Sequence, residues 1–565
     1  MIAAGVDVGN ATTEVVLVRH DDDGPTVLAA DRVPTRGAKG SPASLEAAAS
    51  VVQRLERRAG AAAELAAVAP LRAVDTATVA VPAPPPDTGR LTLISTGAGT
   101  PGSAGQGVGR PHRLGAGEPP GGPVVVLVPV ATGYRQAVEE VGRLLAAGVA
   151  VAAVAVGGDE GVLVANRLAR SLPVVDQVDV DAMAGAHLVA VEVRPPGEPL
   201  RLLGDPVALG AAFGLAPGEA TDAAALTRQL VDRSNAVVAL GERPTAQPAE
   251  PSSWVALAGG PVEFHLAVPR LADLPVGAAG AYRLAGGEAV AVDDLWAVDV
   301  GQVADRAGAH RGSQEVRPYL LAALRRAGRV EHAALLADQL GIEVRTSPSE
   351  AAAARRGALT TPGADPGGLV VDLGAGTVDA IGSEGEVVAA GAGELLTQAV
   401  AAALGITRSA ADWVKRGPAI RVEGGGRFEA EDASRGFLER PAPPAAAGML
   451  AVPGPAGLLP FDRTHAPAEW RSLRLALKEA VLGANLARVL ADREQRPGRQ
   501  VLVVGGPAGD DELVGVLSRA LGDPVVVGRA AVGATLGRAP GVAPLGHRYA
   551  AALGLALSVA DPGSA

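Results

Sequence analysis

Short apolar runs broken by glycine, proline and charge set the rhythm of this chain. Residues 2–8, 14–19 and 26–32 each cluster Val, Leu, Ile and Ala at the density of buried strands, with the polar turn at 21–24 joining the second to the third. Residues 44–58 then place apolar side chains at helical spacing, opened by a serine cap and closed near Gly60. Apolar strand character returns over 71–81. The order is three antiparallel strands, a helix and a strand, an α/β beginning in which helices cover a sheet.

From Pro84 the pattern changes to PAPPP and then to a glycine-rich stretch over 97–122. A strand (124–130), a helix (134–147) and a strand (149–156) follow, which is a βαβ unit of a separate, inserted domain. A Pro/Ala/Glu-rich stretch over 241–253 closes the insertion. The expected division is 1–87 for the first part of one lobe, 88–246 for the insertion, 247–400 for the second part of that lobe and 401–565 for another lobe.

Two segments far apart carry the candidate chemistry. VDVGNATTEVVLV (6–18) and VVDLGAGTVDA (370–380) each read as an apolar strand ending in Asp, a glycine turn, a hydroxyl residue and a second strand. Glycines at 9, 374 and 376 let backbone N–H groups approach phosphate oxygens closely. Asp7 and Asp372, at the strand ends, can hold Mg²⁺ through its waters or orient an attacking water. Asn10, Thr12, Thr13 and Thr377 add short donors to the same turns, with Ala375 between the second pair of glycines. One such hairpin is an ordinary tight turn. Two of them make a clamp for ATP.

Composition narrows the function. At 565 residues the chain is too long for one core and should form roughly three or four domains. Hydrophobic residues make up 48% but aromatics only 2%, so the cores are built from Ala, Val and Leu. A net charge of −11 without basic patches argues against a nucleic-acid partner. The absence of cysteine excludes disulfides, iron–sulfur ligation and thiol catalysis. No charged-then-apolar leader precedes residue 2, and the longest uncharged apolar run, 144–158, is too short to span a bilayer, so no membrane partner and a cytoplasmic location are expected.

Further segments match an actin-like (ribonuclease H-like) two-lobed ATPase in order. PSEAAAARRGAL (348–359) and HRYAAALGLAL (547–557) resemble the helices that link the lobes, with small faces that let them cross closely, and VLVVGGPAGDDEL (501–513) resembles the turn at the adenosine, with Gly505 and Gly506. Lys478 lies on a helix where related ATPases contact the nucleoside, although an exposed helix lysine is the better reading.

A narrower resemblance covers nearly the whole length. GVDVGNATTEVVL, GTPGSAGQG (99–107), GDEGVLVANRL (158–168), LPVVDQV (172–178), GALTTPG (357–363) and GAGELLTQ (391–398) resemble the large subunit of diol/glycerol dehydratase reactivases. The resemblance implies an actin-like ATPase with an inserted α/β swivelling domain, which frees a damaged cobalamin from an adenosylcobalamin-dependent dehydratase so that intact coenzyme can rebind. It implies ATP and ADP as ligands, bound by Asp7, Gly9, Asn10 and Thr13, by Asp372, Gly374, Gly376, Thr377 and Asp379, and by Gly505 and Gly506. It also implies a small-subunit partner in an α2β2 assembly, a client dehydratase, and a divalent ion, Mg²⁺ or Ca²⁺, at the subunit contact on Thr100, Asp159 and Asp176. Relative to that pattern, 280–341 is short and 424–444 is rich in Gly and Pro.

Other readings remain open on sequence alone. A reactivase for ethanolamine ammonia-lyase would share the same chemistry, and a generic actin-like ATPase or sugar kinase would share the fold. The kinase would need a catalytic Asp beside a sugar pocket in the first lobe, and no such motif stands out.

Overall fold

The computed structural model describes the chain apart from residues 73, 83–87, 97–102, 196–197, 232, 243–252, 309–315, 327–331, 384, 455, 492–499, 523–525 and 561–565. These residues form two units, one made of Met1–Val81, Glu250–His310 and Val316–Ala565, the other built on Pro82–Ala249.

The first unit repeats one motif in two sheets. In the first sheet Ile2–Val8 pairs antiparallel with Thr12–Asp21 and parallel with Leu65–Val68, and Gly24–Pro34, Glu343–Thr346 and Gly537–Arg538 complete it. In the second, Leu369–Leu373 pairs antiparallel with Thr377–Gly382 and parallel with Gln500–Val504, flanked by Gly385–Ala390 and Val526–Arg529. The expected boundary at residue 400 therefore does not follow the layers, because 369–390 shares a sheet with 500–529 rather than with the first lobe. The strand expected over 71–81 starts at Val74, and Val74–Pro82 joins a third sheet formed mainly by 254–325. A small antiparallel sheet over 420–462 completes the unit.

Helix Pro42–Ala59 covers the first sheet. Ser41 caps it, Pro42 sits at its first position, and Gly60 ends it at φ 66° in the left-handed region. Leu45, Ala48, Val52 and Leu55 recur on one face and bury against the strands.

Glycines let two helices join the lobes at close range. Gly357 of Glu350–Ala358 abuts the carbonyl of Ala550, and Gly554 of Ala550–Ser558 abuts that of Ala353. At both positions a Cβ would overlap the facing backbone, as it would at Gly5 against Ala552. The small-residue crossing expected from the sequence is therefore present.

In the second unit Val174–Val175, Val151–Val156, Val124–Val128 and Gly105–Arg113 run parallel, followed antiparallel by Leu188–Val193, Asn235–Leu240 and Leu91–Ser95. Helix Tyr134–Ala146 makes the crossover between two of the parallel strands, as the sequence pattern implies.

Candidate nucleotide site

The two hairpins share one turn geometry. Gly9 N donates to Thr12 O at 2.9 Å, and Gly374 N donates to Thr377 O at 2.9 Å. Two pairs back from each of these contacts, Asp7 stands opposite Glu14 and Asp372 opposite Asp379. Residues directly opposite in a ladder share a face, so each hairpin presents two carboxylates on the same side.

Both faces meet in a cavity of about 650 Å³. Asp7, Gly9, Asn10 and Thr12 line it from the first hairpin. Asp372, Gly374, Ala375, Gly376, Thr377 and Asp379 line it from the second, and Gly505 and Gly506 from the turn after Gln500–Val504. The hairpin tips touch, since a Cβ on Gly376 would overlap Asn10 Nδ2. Gly505 sits at φ 86° against the carbonyl of Leu373, a position only glycine fills without strain. Its N–H donates to His547 O at 3.0 Å, which fixes the turn to the start of the second linking helix.

Thr13 is placed differently from expectation. It is fully buried, and its hydroxyl lies 2.9 Å from that of Thr35, whose own hydroxyl donates to Gly9 O at 2.8 Å. Successive strand residues face opposite sides, so Thr12 looks into the cavity and Thr13 braces the turn from behind. Lys478 is neither exposed nor in the cavity wall. It is fully buried, with Nζ 2.6 Å from Asp510 Oδ2 and 2.7 Å from Glu512 Oε2, and through Asp510 it supports that wall.

Glu14, Lys39 and Glu350 are among the lining residues that were not expected at the site from the sequence. Lys39 Nζ donates to Glu350 Oε2 at 2.6 Å, with the lysine side chain only 7% exposed. Burial works against this ammonium, but Glu350, Asp7 and Asp379 outweigh burial and raise its pKa. Crowding raises the carboxylates as well, which in their case favours the neutral form. Burial first, then the charge of Glu350, pushes Asp372 up to about 7. Burial raises Glu14 to about 7, and burial with neighbouring carboxylates raises Asp7 and Asp379 well above the usual range.

This donor set suits a hydrated cation carried with a phosphate. Asp379 is 5% exposed and its Oδ1 is buried without a hydrogen-bond partner among the described residues. Yet no three carboxylates or imidazoles among the described residues converge to hold a bare ion. Mg²⁺ keeps several waters and takes phosphate oxygens as ligands, which matches that combination.

Cations line the cavity as well. Lys415 is anchored to Asp412 at 2.9 Å, Arg416 is paired with the same carboxylate, and Arg548 lies against Gly506 and Gly509.

In the second unit two of the candidate ion ligands lie on neighbouring loops. Asp159 is exposed at the end of Val151–Val156, and Asp176 follows the neighbouring Val174–Val175. Gln177 N donates to Gly158 O at 3.1 Å, which lays the two loops side by side, while Asp176 Oδ2 accepts from Gly161 N at 3.2 Å. Thr100 lies outside the described residues.

Comparison with known proteins agrees with this geometry. A model of the "Diol dehydratase reactivase ATPase-like domain" matches residues 284–559, and one of the "DD-reactivating factor swiveling domain" matches 89–243. The chain belongs to the diol dehydratase reactivase family. Within that family it is 29% identical to the propanediol dehydratase-reactivating factor large subunit of Salmonella typhimurium over 92% of this chain and 93% of the relative. The diol dehydratase-reactivating factor large subunit of Klebsiella michiganensis is likewise 29% identical, with the same coverage. A nucleotide-free diol dehydratase-reactivating factor has the same fold at a TM-score of 0.59 and 26% identity, covering 99% of both chains. A glycerol dehydratase reactivase follows at 0.58 and 26%, over 99% of this chain and all of the other. Among the described residues no helix is long and apolar enough to cross a membrane.

Proposed function

We propose that this chain is the ATP-hydrolysing large subunit of a cytoplasmic factor that reactivates a cobalamin-dependent diol or glycerol dehydratase. The observation that carries the reading is the pair of facing hairpins, each with a glycine turn and an opposed carboxylate pair, in a chain of reactivase family. The glycine turns offer backbone N–H groups to the phosphates, and Gly505 and Gly506 leave room for the nucleoside. Asp7 and Asp372 are the carboxylates to hold Mg²⁺ through its waters or to orient the attacking water. Mg²⁺ bound there would neutralise charge on the phosphates.

The work done is conformational. A dehydratase that has lost its adenosyl group holds damaged cobalamin, and opening its subunit contact costs free energy that binding of another protein can supply. The small subunit of the factor leaves so that the dehydratase can dock, and ATP and ADP bias the chain between arrangements because they bind them with different affinity. The crossing at Gly357 and Gly554 is the element through which the cavity acts on the lobes. No bond in cobalamin is made by this chain.

The second unit supplies the small-subunit contact in this reading, in an α2β2 assembly. Thr100, Asp159 and Asp176 offer one hydroxyl and two carboxylates to Mg²⁺ or Ca²⁺, and a carboxylate from the small subunit would complete the set. Small-subunit affinity measured with ADP and then with ATP tests the coupling. A change of about tenfold or more is expected, equivalent to about 1.4 kcal/mol. Equal affinities would remove the coupling from the account. Loss of co-purification in Asp159→Ala/Asp176→Ala tests the ion, and undiminished co-purification would sink it.

A further inference from the structure

Lys39 and Glu350 reach the cavity from two separate elements. Lys39 lies on the loop between strand Gly24–Pro34 and helix Pro42–Ala59, and Glu350 is the first residue of linking helix Glu350–Ala358, just after its cap Ser349. Their side chains are 7% and 29% exposed, both line the cavity, and Nζ and Oε2 are 2.6 Å apart.

The surroundings give this pair a particular task. The carboxylate end of the cavity holds Asp7, Glu14, Glu350, Asp372 and Asp379. Lys39 is the cation whose charge is felt by Asp7, Asp372 and Asp379. The other lining cations are committed elsewhere: Arg72 to Asp293, Arg408 to Glu394, and Lys415 and Arg416 to Asp412. Arg548 stands at the Gly506 to Gly509 turn, where its charge is felt by Glu14 and not by the aspartates of the two hairpins as Lys39's is. A triphosphate whose tail reaches the hairpin turns brings its most negative group to the end where repulsion is greatest. Lys39 is the flexible point charge placed to meet it.

We propose that Lys39 and Glu350 are the hydrolytic switch of the cavity, an ion pair in the empty site and, with ATP bound, a lysine on the terminal phosphoryl group and a carboxylate on the attacking water. The inference rests on the ATP reading above. When Lys39 turns to the phosphoryl oxygens, Glu350 loses its partner and becomes free to accept a hydrogen bond from water. The water oxygen then forms a bond to the terminal phosphorus as the bond from that phosphorus to the bridging oxygen breaks. ADP leaves with the bridging electron pair, and the water's proton passes through the Glu350 carboxylate to the released phosphate. Since Glu350 opens the linking helix that crosses its counterpart at Gly357 and Gly554, remaking the ion pair after phosphate release returns that helix end to its empty-state anchor.

The test compares the full-length wild-type chain with Glu350→Gln, Lys39→Ala and Lys39→Arg, using calorimetric ATP and ADP affinities with Mg²⁺ and single-turnover hydrolysis. Glu350→Gln should bind ATP within about threefold of wild type and hydrolyse it about 10²-fold or more slowly, the usual scale of a lost general base. Lys39→Ala should weaken ATP by about tenfold or more while leaving ADP nearly unchanged, and Lys39→Arg should recover most of the ATP preference because it keeps the charge. Wild-type single-turnover rates in Glu350→Gln, or equal losses of ATP and ADP in a folded Lys39→Ala, would overturn the switch while leaving the ATP site standing. A wild-type chain that binds neither nucleotide would overturn both.

Discussion

Asp372 stands directly opposite Asp379 in the antiparallel register of the second hairpin, as Asp7 stands opposite Glu14 in the first. Like charges facing each other across a ladder destabilise it. In the ATP reading proposed above, this repetition at equivalent places in two sheets is a cost carried by the site and met when a cation arrives with the nucleotide.

The empty protein should therefore lose stability as pH rises through neutrality. Asp372 and Glu14 have folded pKa values of about 7, above their ordinary values of 3.8 and 4.5. Between those limits the native state holds more protons than the unfolded chain, so this stability is complete below about pH 4 and is lost as pH rises through about 7. Glu512 has the opposite sign: despite its burial, bonds from Arg474 and Lys478 lower it to about 2, and its contribution is lost as pH falls from 4.5 through 2. Thermal melts without nucleotide should fall from pH 5 to pH 8, and Mg²⁺ with ATP should flatten that slope. A slope that is flat without nucleotide would remove the raised carboxylates from the account.

Asp372→Asn should separate stability from activity. Removing one charge from the crowded face should stabilise the empty protein near pH 7.5 by about 0.5–2 kcal/mol, while single-turnover hydrolysis falls about 10²-fold or more. Denaturant melts and a phosphate-release assay check both halves. Full hydrolysis would remove Asp372 from the site.

The glycines make steric predictions. Gly554→Val would drive a side chain into the Ala353 backbone at the helix crossing and should destabilise by about 1–3 kcal/mol or more, an overpacking cost. Gly505→Ala combines a left-handed φ of 86° with overlap of Leu373, so nucleotide affinity should fall even where the fold survives. Melts and nucleotide titrations distinguish the two effects.

Arg474 anchors the helix behind the cavity. Its fully buried guanidinium lies 2.6 Å from Glu431 and 2.7 Å from Glu512, and Glu512 also holds Lys478. Arg474→Ala would leave the buried Glu431 carboxylate without its guanidinium and Glu512 with Lys478 alone, and should cost about 3–5 kcal/mol in a chemical melt.

What the sequence disclosed follows the range of the interactions. The hairpins, the double-glycine turn and the linking helices were legible because a strand end, a glycine turn and a hydroxyl lie within a few residues of one another. Lys39 and Glu350 were not, because 311 residues separate the partners and each alone resembles a surface charge. Thr13 was misplaced by one step of strand parity, which the motif TT cannot resolve. Lys478 was misread because its neutralising partners lie 32 and 34 residues further along, on another helix start. The boundary at 400 failed for a related reason, since parallel pairing of Leu369–Leu373 with Gln500–Val504 joins segments that local composition does not connect.

The most direct measurement adds this chain, its small subunit, Mg²⁺-ATP and free adenosylcobalamin to diol dehydratase inactivated with cyanocobalamin. The account predicts recovered dehydratase activity that requires ATP and is lost in Asp372→Asn. No ATP-dependent recovery, with either diol or glycerol dehydratase as the client, would contradict it.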